Sequence, residues 1–264
     1  MILEEILRVK REEIGAAQQR LPFDELQRRV HTQQRQPRFR DPLLTSDKPI
    51  ALIAELKRKS PSRGMLRERF DPVSLAQELQ DAGASALSVL TDEQFFGGSL
   101  DILRTVQQFV DIPVLRKDFI IDPYQIYEAA QARADAVLLI ARILSDETLR
   151  QFLEDARRLQ LDALVEVHSE LELERAVRAG AELIGINQRD LDTLHMHPNL
   201  TAKLVPKIPR DTTIVAESGI HTTEDLTRLQ GAGVRAVLIG ESLMTAPDVS
   251  AKIRELFAGI WPAC

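Results

Sequence analysis

The sequence predicts an α/β fold, a (β/α)8 TIM barrel with an N-terminal helical extension, and three observations carry that prediction. The chain has 264 residues, close to the roughly 250 that such a barrel takes as a single domain. From Pro49 onward, short apolar runs alternate with amphipathic segments. The runs are rich in Val, Ile, Leu and Ala with little polar alternation, as strands buried on both faces of a parallel sheet are. Asp81-Ala82-Gly83-Ala84, Arg178-Ala179-Gly180-Ala181 and Gln230-Gly231-Ala232-Gly233-Val234 echo one another. Each ends a helical pattern on glycine and leads into a strand, the chemistry of an αβ turn.

The elements follow in order. Residues 2–30 read as helix, with Leu3, Ile6, Leu7, Val9 and Ile14 forming an apolar stripe. Pro22 divides that stretch into two helices. Residues 31–42 are polar, basic and contain proline, so they read as a connecting loop. Residues 1–45 are therefore expected to be a helical cover belonging to the same domain, which spans 1–264. Strands are expected at 50–57, 86–90, 114–117, 136–140, 163–167, 183–187, 213–217 and 236–240. Helices are expected between them at 74–82, 100–109, 123–132, 146–159, 170–178 and 223–229. Eight strands alternating with helices favour closure over an open doubly wound sheet. No G-x-G-x-x-G follows the first strand, which weakens a dinucleotide-binding reading.

Composition narrows the function. The formal net charge is −6, so a general nucleic-acid binder is disfavoured. The hydrophobic fraction of 44% supports a sizeable core, and 28% charged residues argue against bulk disorder. Cys264 is the only cysteine; no internal disulfide is possible, and a reducing compartment is expected. No run approaches the roughly 20 apolar residues of a membrane span. The acidic start, Met1-Ile2-Leu3-Glu4-Glu5, lacks the order of a signal peptide. A cytoplasmic protein is expected, with no nucleic-acid or membrane partner, as a monomer or a weak homodimer.

Strands of this kind should stay apolar, yet several end in charge. Glu55 and Lys57 alternate in step with Ala51 and Ile53, which sends them into the barrel. Lys117 follows Leu115, Glu166 lies within Leu164-Val165-Glu166-Val167, Asn187 ends the sixth strand with Arg189 two residues on, and Glu217 ends the seventh before Ser218-Gly219. The carboxyl ends of barrel strands converge on one mouth, where barrel enzymes place their chemistry. Three glutamates and two lysines there offset one another's burial and leave donors and acceptors for a ligand. A lysine among glutamates stays protonated and can donate a proton or polarise a carbonyl. A Schiff base on Lys117 would need a neutral amine, which the glutamates disfavour.

The two loops after the seventh and eighth strands, Glu217-Ser218-Gly219-Ile220 and Gly240-Glu241-Ser242-Leu243-Met244, stand where barrels bind phosphate. Gly219 and Gly240 would let the backbone approach an oxyanion, and Glu241 would offer its N–H while its carboxylate turns away. Lys57 or Arg189 would add charge. Arg58-Lys59-Ser60-Pro61-Ser62-Arg63-Gly64 is a basic loop suited to a lid over an anionic substrate. Phe96 and Phe119 would either wall an aromatic ligand or belong to the core. His195 and His197 have no carboxylate set at metal-ligand spacing, so no metal is expected, and no bound cofactor either.

These segments together resemble the indole-3-glycerol phosphate synthase family of tryptophan biosynthesis. The resemblance rests on Ala54 to Gly64, Leu90-Thr91-Asp92 with Phe96-Gly97-Gly98-Ser99, Lys117-Asp118-Phe119-Ile120, Glu166-Val167-His168, Gly185-Ile186-Asn187-Gln188-Arg189-Asp190-Leu191, and the two loops just named. It implies a lyase that closes the pyrrole ring of carboxyphenylamino-deoxyribulose 5-phosphate with loss of CO2 and water. Lys117 would then be the general acid on the carbonyl, and Glu166 would serve the later proton transfers. Glu55, Lys57, Asn187 and Glu217 would position and polarise the substrate, and Ser218 would help bind it. Phe96, Phe119 and Leu191 would pack on the anthranilate ring, and Ser60 and Arg189 would help seat the substrate. Gly219, Gly240 and Glu241 would hold the phosphate. Another phosphate-binding barrel, such as phosphoribosylanthranilate isomerase, would use a Cys/Asp pair, and Cys264 is the only cysteine. A non-catalytic scaffold barrel would lose at least one charged group of the mouth, and none is missing.

Overall fold

A computed structural model describes residues 2–30 and 38–262. The lone cysteine and residues 31–37 of the expected connecting loop lie outside the described residues. Eight parallel strands close a barrel: Ala51–Leu56, Ala86–Leu90, Val114–Lys117, Ala136–Ile140, Asp162–Val167, Leu183–Asn187, Thr213–Glu217 and Ala236–Ile239. Each pairs with its sequence neighbour, and the first pairs with both the second and the eighth. Five of the eight match the expected bounds; the first differs by one residue at each end and the fifth and eighth by one at a single end, because apolarity alone does not say where ladder pairing stops.

Side-chain alternation sorts each strand between two cores. Leu52, Ala54, Leu56, Val165 and Val237 face out into the large cluster shared with the helices. Ala51, Ile53, Leu115, Leu138, Leu164, Val215 and Leu238 face in and fill the barrel. The inward register continues upward to Glu55, Lys117, Glu166 and Glu217, so the periodicity that packs the core also aims the charges. Helices Pro72–Asp81, Leu100–Val106, Pro123–Gln131, Asp146–Arg158, Glu170–Arg178 and Thr223–Gly231 alternate with the strands. Their starts are marked by polar caps, with full capping boxes at Asp122/Gln125 and Thr222/Asp225. The three glycine echoes are left-handed, with φ of 98° at Gly83, 83° at Gly180 and 95° at Gly233. Arg133 (φ 66°) and Gln160 (φ 58°) take that conformation at two further helix ends, which hides those turns from a search for glycine.

Helices Ile2–Arg20 and Phe23–Val30 sit either side of Pro22. The expected loop at 31–42 is corrected at its end, since Arg40–Thr45 is helical. Long-range anchors make the difference. The N–H groups of Phe39 and Arg40 donate to Asp162 Oδ2 at 2.8 and 3.0 Å, and the Arg40 guanidinium reaches Glu182 at 2.8 Å and Thr213 Oγ1 at 3.0 Å. Phe39 is thereby pressed, fully buried, into the inner core at the end of the barrel opposite the mouth. A last helix, Val249–Leu256, docks on Pro72–Asp81 through Ser250 and Glu78. It is too short to declare itself by periodicity.

Candidate active site

Every residue assigned a catalytic, substrate-binding or phosphate-binding role from the sequence lines one cavity at the carboxyl ends of the strands. Its floor is a lysine among carboxylates. Lys117 Nζ lies 3.4 Å from Glu166 Oε2, 3.5 Å from Glu217 Oε2 and 3.7 Å from Glu55 Oε2. Glu55 also holds Lys57 at 2.6 Å. The three carboxylates are almost wholly buried. Burial pulls the Lys117 ammonium down, but Glu166, Glu217 and Glu55 outweigh it and hold the lysine protonated well above its ordinary value.

The carboxylates are not equivalent. Burial raises Glu55, but Lys57 and Lys117 outweigh it and keep the group ionised. The same balance, led by Lys117 and helped by His168, keeps Glu166 ionised. Glu217 has the weaker cation share: burial and the charge on Glu166 push it up to about 8, against Lys117. The pair thus divides into an anion and a neutral acid near neutrality, the arrangement by which two acids take different tasks. Neither oxygen of Glu217, nor Oε2 of Glu166, has a well-formed hydrogen bond among the described residues apart from what a proton shared between the two could make.

A linkage prediction follows from Glu217. A carboxyl with a raised folded-state value stabilises the fold below its unfolded value, about 4.3, and that contribution is lost as pH rises through about 8. Glu217→Gln is therefore expected to raise Tm by several degrees above pH 8 and to leave it unchanged near pH 4. Calorimetry across that range checks it, and an equal gain at both ends would count against the assignment.

The cavity's far side is built from backbone. Ser218 and Gly219 are both left-handed, with φ of 65° and 71°, and both line the cavity. Gln188 Nε2 supports the turn by donating to the Ser218 carbonyl at 2.9 Å. Ser242 Oγ joins the two phosphate-type loops, donating to Ile220 O at 2.7 Å. A Cβ on Gly240 would run into the Glu55 carboxylate, so glycine there serves the acid cluster as well as any anion. The Glu241 carboxylate is drawn off by Arg63 at 3.0 Å and Arg189 at 3.3 Å, leaving N–H groups of the helix Glu241–Met244 free of intrahelical partners.

The apolar wall pairs Phe96 with Phe119, ring centres 6.1 Å apart, and Leu191 packs on the same inner cluster. Asn187 Oδ1 accepts from the Arg189 N–H at 3.0 Å. Ser60 belongs to a small antiparallel pair, Lys59–Ser60 with Gly64–Met65, so the basic loop is a short hairpin. Lys59 Nζ pins the hairpin to Gln94 O at 2.7 Å.

Sequence reasoning missed three contributors. Ile2, Leu3 and Ile6 of the first helix line the cavity; the arm reads as a cover over the barrel, which the resemblance places near the mouth, but none of its residues was given a part in the site. Lys10, on the same stripe as Ile6 and Ile14, is buried against Asp118 at 2.9 Å, Asp92 at 3.2 Å and Glu13 at 2.6 Å. It clamps that helix to the loops that carry Lys117 and Phe96, and a lysine inside an apolar stripe was its signal. His168 lies behind Glu166 at 3.2 Å; no spacing rule gave it a partner.

Reactive charge at the carboxyl ends of a closed parallel barrel defines the class: this is a (β/α)8-barrel enzyme. Two solved structures share its fold at low identity. 3-Hexulose-6-phosphate synthase aligns with a TM-score of 0.64 and 16% identity over 80% of this chain and 100% of that one. Thiamine phosphate pyrophosphorylase from Pyrococcus furiosus gives 0.60 and 19% over 79% and 94%. Residues 3–256 match the family model described as indole-3-glycerol phosphate synthase. The synthase of Sulfurimonas denitrificans is 46% identical over 98% of this chain and 99% of its own. That of Acetivibrio thermocellus is 45% identical over 98% and 100%. The chain belongs to the indole-3-glycerol phosphate synthase family.

Proposed function

We propose that the cavity converts 1-(2-carboxyphenylamino)-1-deoxyribulose 5-phosphate to indole-3-glycerol phosphate, as a carboxy-lyase, through the residues described above. The observation that carries this reading is the single ammonium of Lys117 facing three buried carboxylates, with Gly219, Gly240 and Glu241 lining the same cavity. The phosphate rests on the N–H groups of Gly219, Gly240 and Glu241. The anthranilate ring lies between Phe96, Phe119 and Leu191, and Ser60, Arg189, Asn187 and Ser218 seat the rest of the substrate. Glu55 and Lys57 orient its anionic and hydroxyl groups.

The ring carbon bearing the carboxylate then attacks the ketone carbon, and Lys117 gives its proton to the ketone oxygen as that bond polarises. Loss of CO2 returns the electron pair to the ring. The new hydroxyl leaves as water, a carbon-bound proton is removed, and the indole is complete without net oxidation or reduction. Glu166, held ionised, accepts and returns protons in these later steps, and Glu217, a neutral acid near pH 7, polarises the departing oxygen. Purified protein mixed with the substrate is expected to give rising indole fluorescence; a folded preparation without signal rejects the reading. Glu166→Gln is expected to cut turnover by 10- to 100-fold, roughly the worth of one positioned acid–base group, with a ring-closed intermediate trapped by rapid quench. Full turnover with no intermediate would remove Glu166 from the mechanism.

A further inference from the structure

His168 lies just beyond the fifth strand, buried, one residue past the turn of the ladder that delivers Glu166 to the cavity. Both of its ring nitrogens meet carboxylates. Nε2 is 3.2 Å from Glu166 Oε1, and Nδ1 is 3.3 Å from Glu172 Oε2. The backbone N–H of His168 also donates to Glu172 Oε2, at 2.7 Å, which fixes the helix Glu170–Arg178 against the strand end. Glu172 does not stand alone: its Oε1 accepts from Arg142 Nε at 3.1 Å, and Arg142 Nη1 reaches Asp190 Oδ2 at 2.8 Å. Asp190 sits between Arg189 and Leu191, both on the cavity wall. A line of alternating charge thus runs from Lys117 through Glu166, His168, Glu172 and Arg142 to the loop after the sixth strand.

We propose that His168 is a positioning residue which acts through Glu166: as an imidazolium clamped between Glu166 and Glu172, it keeps Glu166 the ionised member of the Glu166–Glu217 pair. The approach of a carboxylate oxygen to each ring nitrogen favours the doubly protonated ring. A neutral imidazole has one N–H and one lone pair, and the lone pair would face a buried carboxylate at about 3.2 Å. The ionisable groups that meet the ring are Glu166 from its own strand and Glu172 from the following helix, with Arg142, on the segment after the fourth strand, behind Glu172. On the far side of Glu166 stands Lys117, whose ammonium is shared with Glu55 and Glu217. His168 is therefore the cation that Glu166 shares with no other carboxylate of the cavity, and it breaks the symmetry between two acids that face the same lysine. Burial opposes the charge on the ring, but Glu166 and Glu172 outweigh it and raise His168 to about 9.

The inference rests on the role given to Glu166 under the proposed function, and two measurements keep the two separable. The first needs no turnover. In the 15N spectrum of the wild-type protein, His168 is expected to show both ring nitrogens protonated at pH 7.5 and to titrate near pH 9. Its titration should fall by about one pH unit or more in Glu172→Gln, the usual consequence of losing an adjacent opposite charge. A neutral ring at pH 7.5, or no movement in that variant, overturns the proposal even if Glu166 proves essential. The second is the pH profile of kcat in His168→Gln. The acidic limb is expected to move up by about one unit or more, because Glu166 without its imidazolium takes up a proton more readily. His168→Lys, which restores a cation, should move the limb back toward wild type. A uniform loss of kcat with unmoved limbs would mean that His168 only supports the fold, and the proposal would fall. If His168→Gln does not fold, the spectrum of the wild type and of Glu172→Gln decides alone. Wild-type turnover in Glu166→Gln would instead refute the role of Glu166 while leaving the ring's protonation measurable.

Discussion

Lys117→Met is expected to lower kcat by about 10²-fold or more, the cost of losing a positioned general acid. The side chain keeps an unbranched apolar stem one atom shorter, so packing at the barrel mouth changes little. What is lost is the one ammonium within 3.7 Å of Glu55, Glu166 and Glu217 together. Without it, the buried carboxylates face one another, and the fold can only respond by taking up protons. Lys57 still pairs with Glu55 and His168 with Glu166, so the rise in proton affinity is greatest at Glu217, whose folded-state value already lies above its unfolded one. By linkage, the variant's stability should match that of the wild type most closely at low pH and fall behind as pH rises. Steady-state kinetics and a Tm series from pH 5 to 9 read both effects. Turnover near wild type at neutral pH would remove Lys117 from the chemistry.

Phe39→Ala tests the other end of the barrel. Its ring is fully buried among Ala51, Leu164, Leu183 and their neighbours of the inner core. It is held there by the bonds from its own N–H and that of Arg40 to Asp162. Truncating a buried phenylalanine costs about 3–5 kcal/mol, and for a chain of this size that is roughly 10 °C in Tm. Because the ring seals the end away from the cavity, kcat at 25 °C should stay within about twofold of wild type, below the roughly 0.4 kcal/mol that such a ratio represents. Thermal unfolding with parallel kinetics checks it. A large loss of kcat without a loss of Tm would show that the inner core transmits strain to the mouth.

The barrel was legible because its strands are buried on both faces. Against a background of continuous Val, Ile, Leu and Ala, a charged residue such as Glu166 or Lys117 stands out, and period-two alternation tells which way it points. Gly219 stood out as a glycine in a loop suited to an oxyanion, but the left-handed conformation it shares with Ser218 was not legible, because serine does not announce it. What stayed hidden depends on contacts distant in sequence. Nothing near Phe39 announces that Asp162, far along the chain, will receive its N–H. Ile2, Leu3 and Ile6 look like any apolar stripe until the helix is placed on the barrel. Lys10 is the partial exception: a buried cation amid an apolar face implied carboxylates to meet it, but which ones only the fold could say. The unlike proton affinities of Glu166 and Glu217 were equally out of reach, because they are set by burial and by which charges the fold brings to each carboxylate.

A structure with indole-3-glycerol phosphate bound tests the central claim most directly. The phosphate should lie on the N–H groups of Gly219, Gly240 and Glu241, with the indole between Phe96 and Phe119 and the Lys117 ammonium next to the carbon that carried the ketone oxygen. A ligand bound in reverse, with its phosphate against Lys117, or bound outside this cavity, would contradict the account.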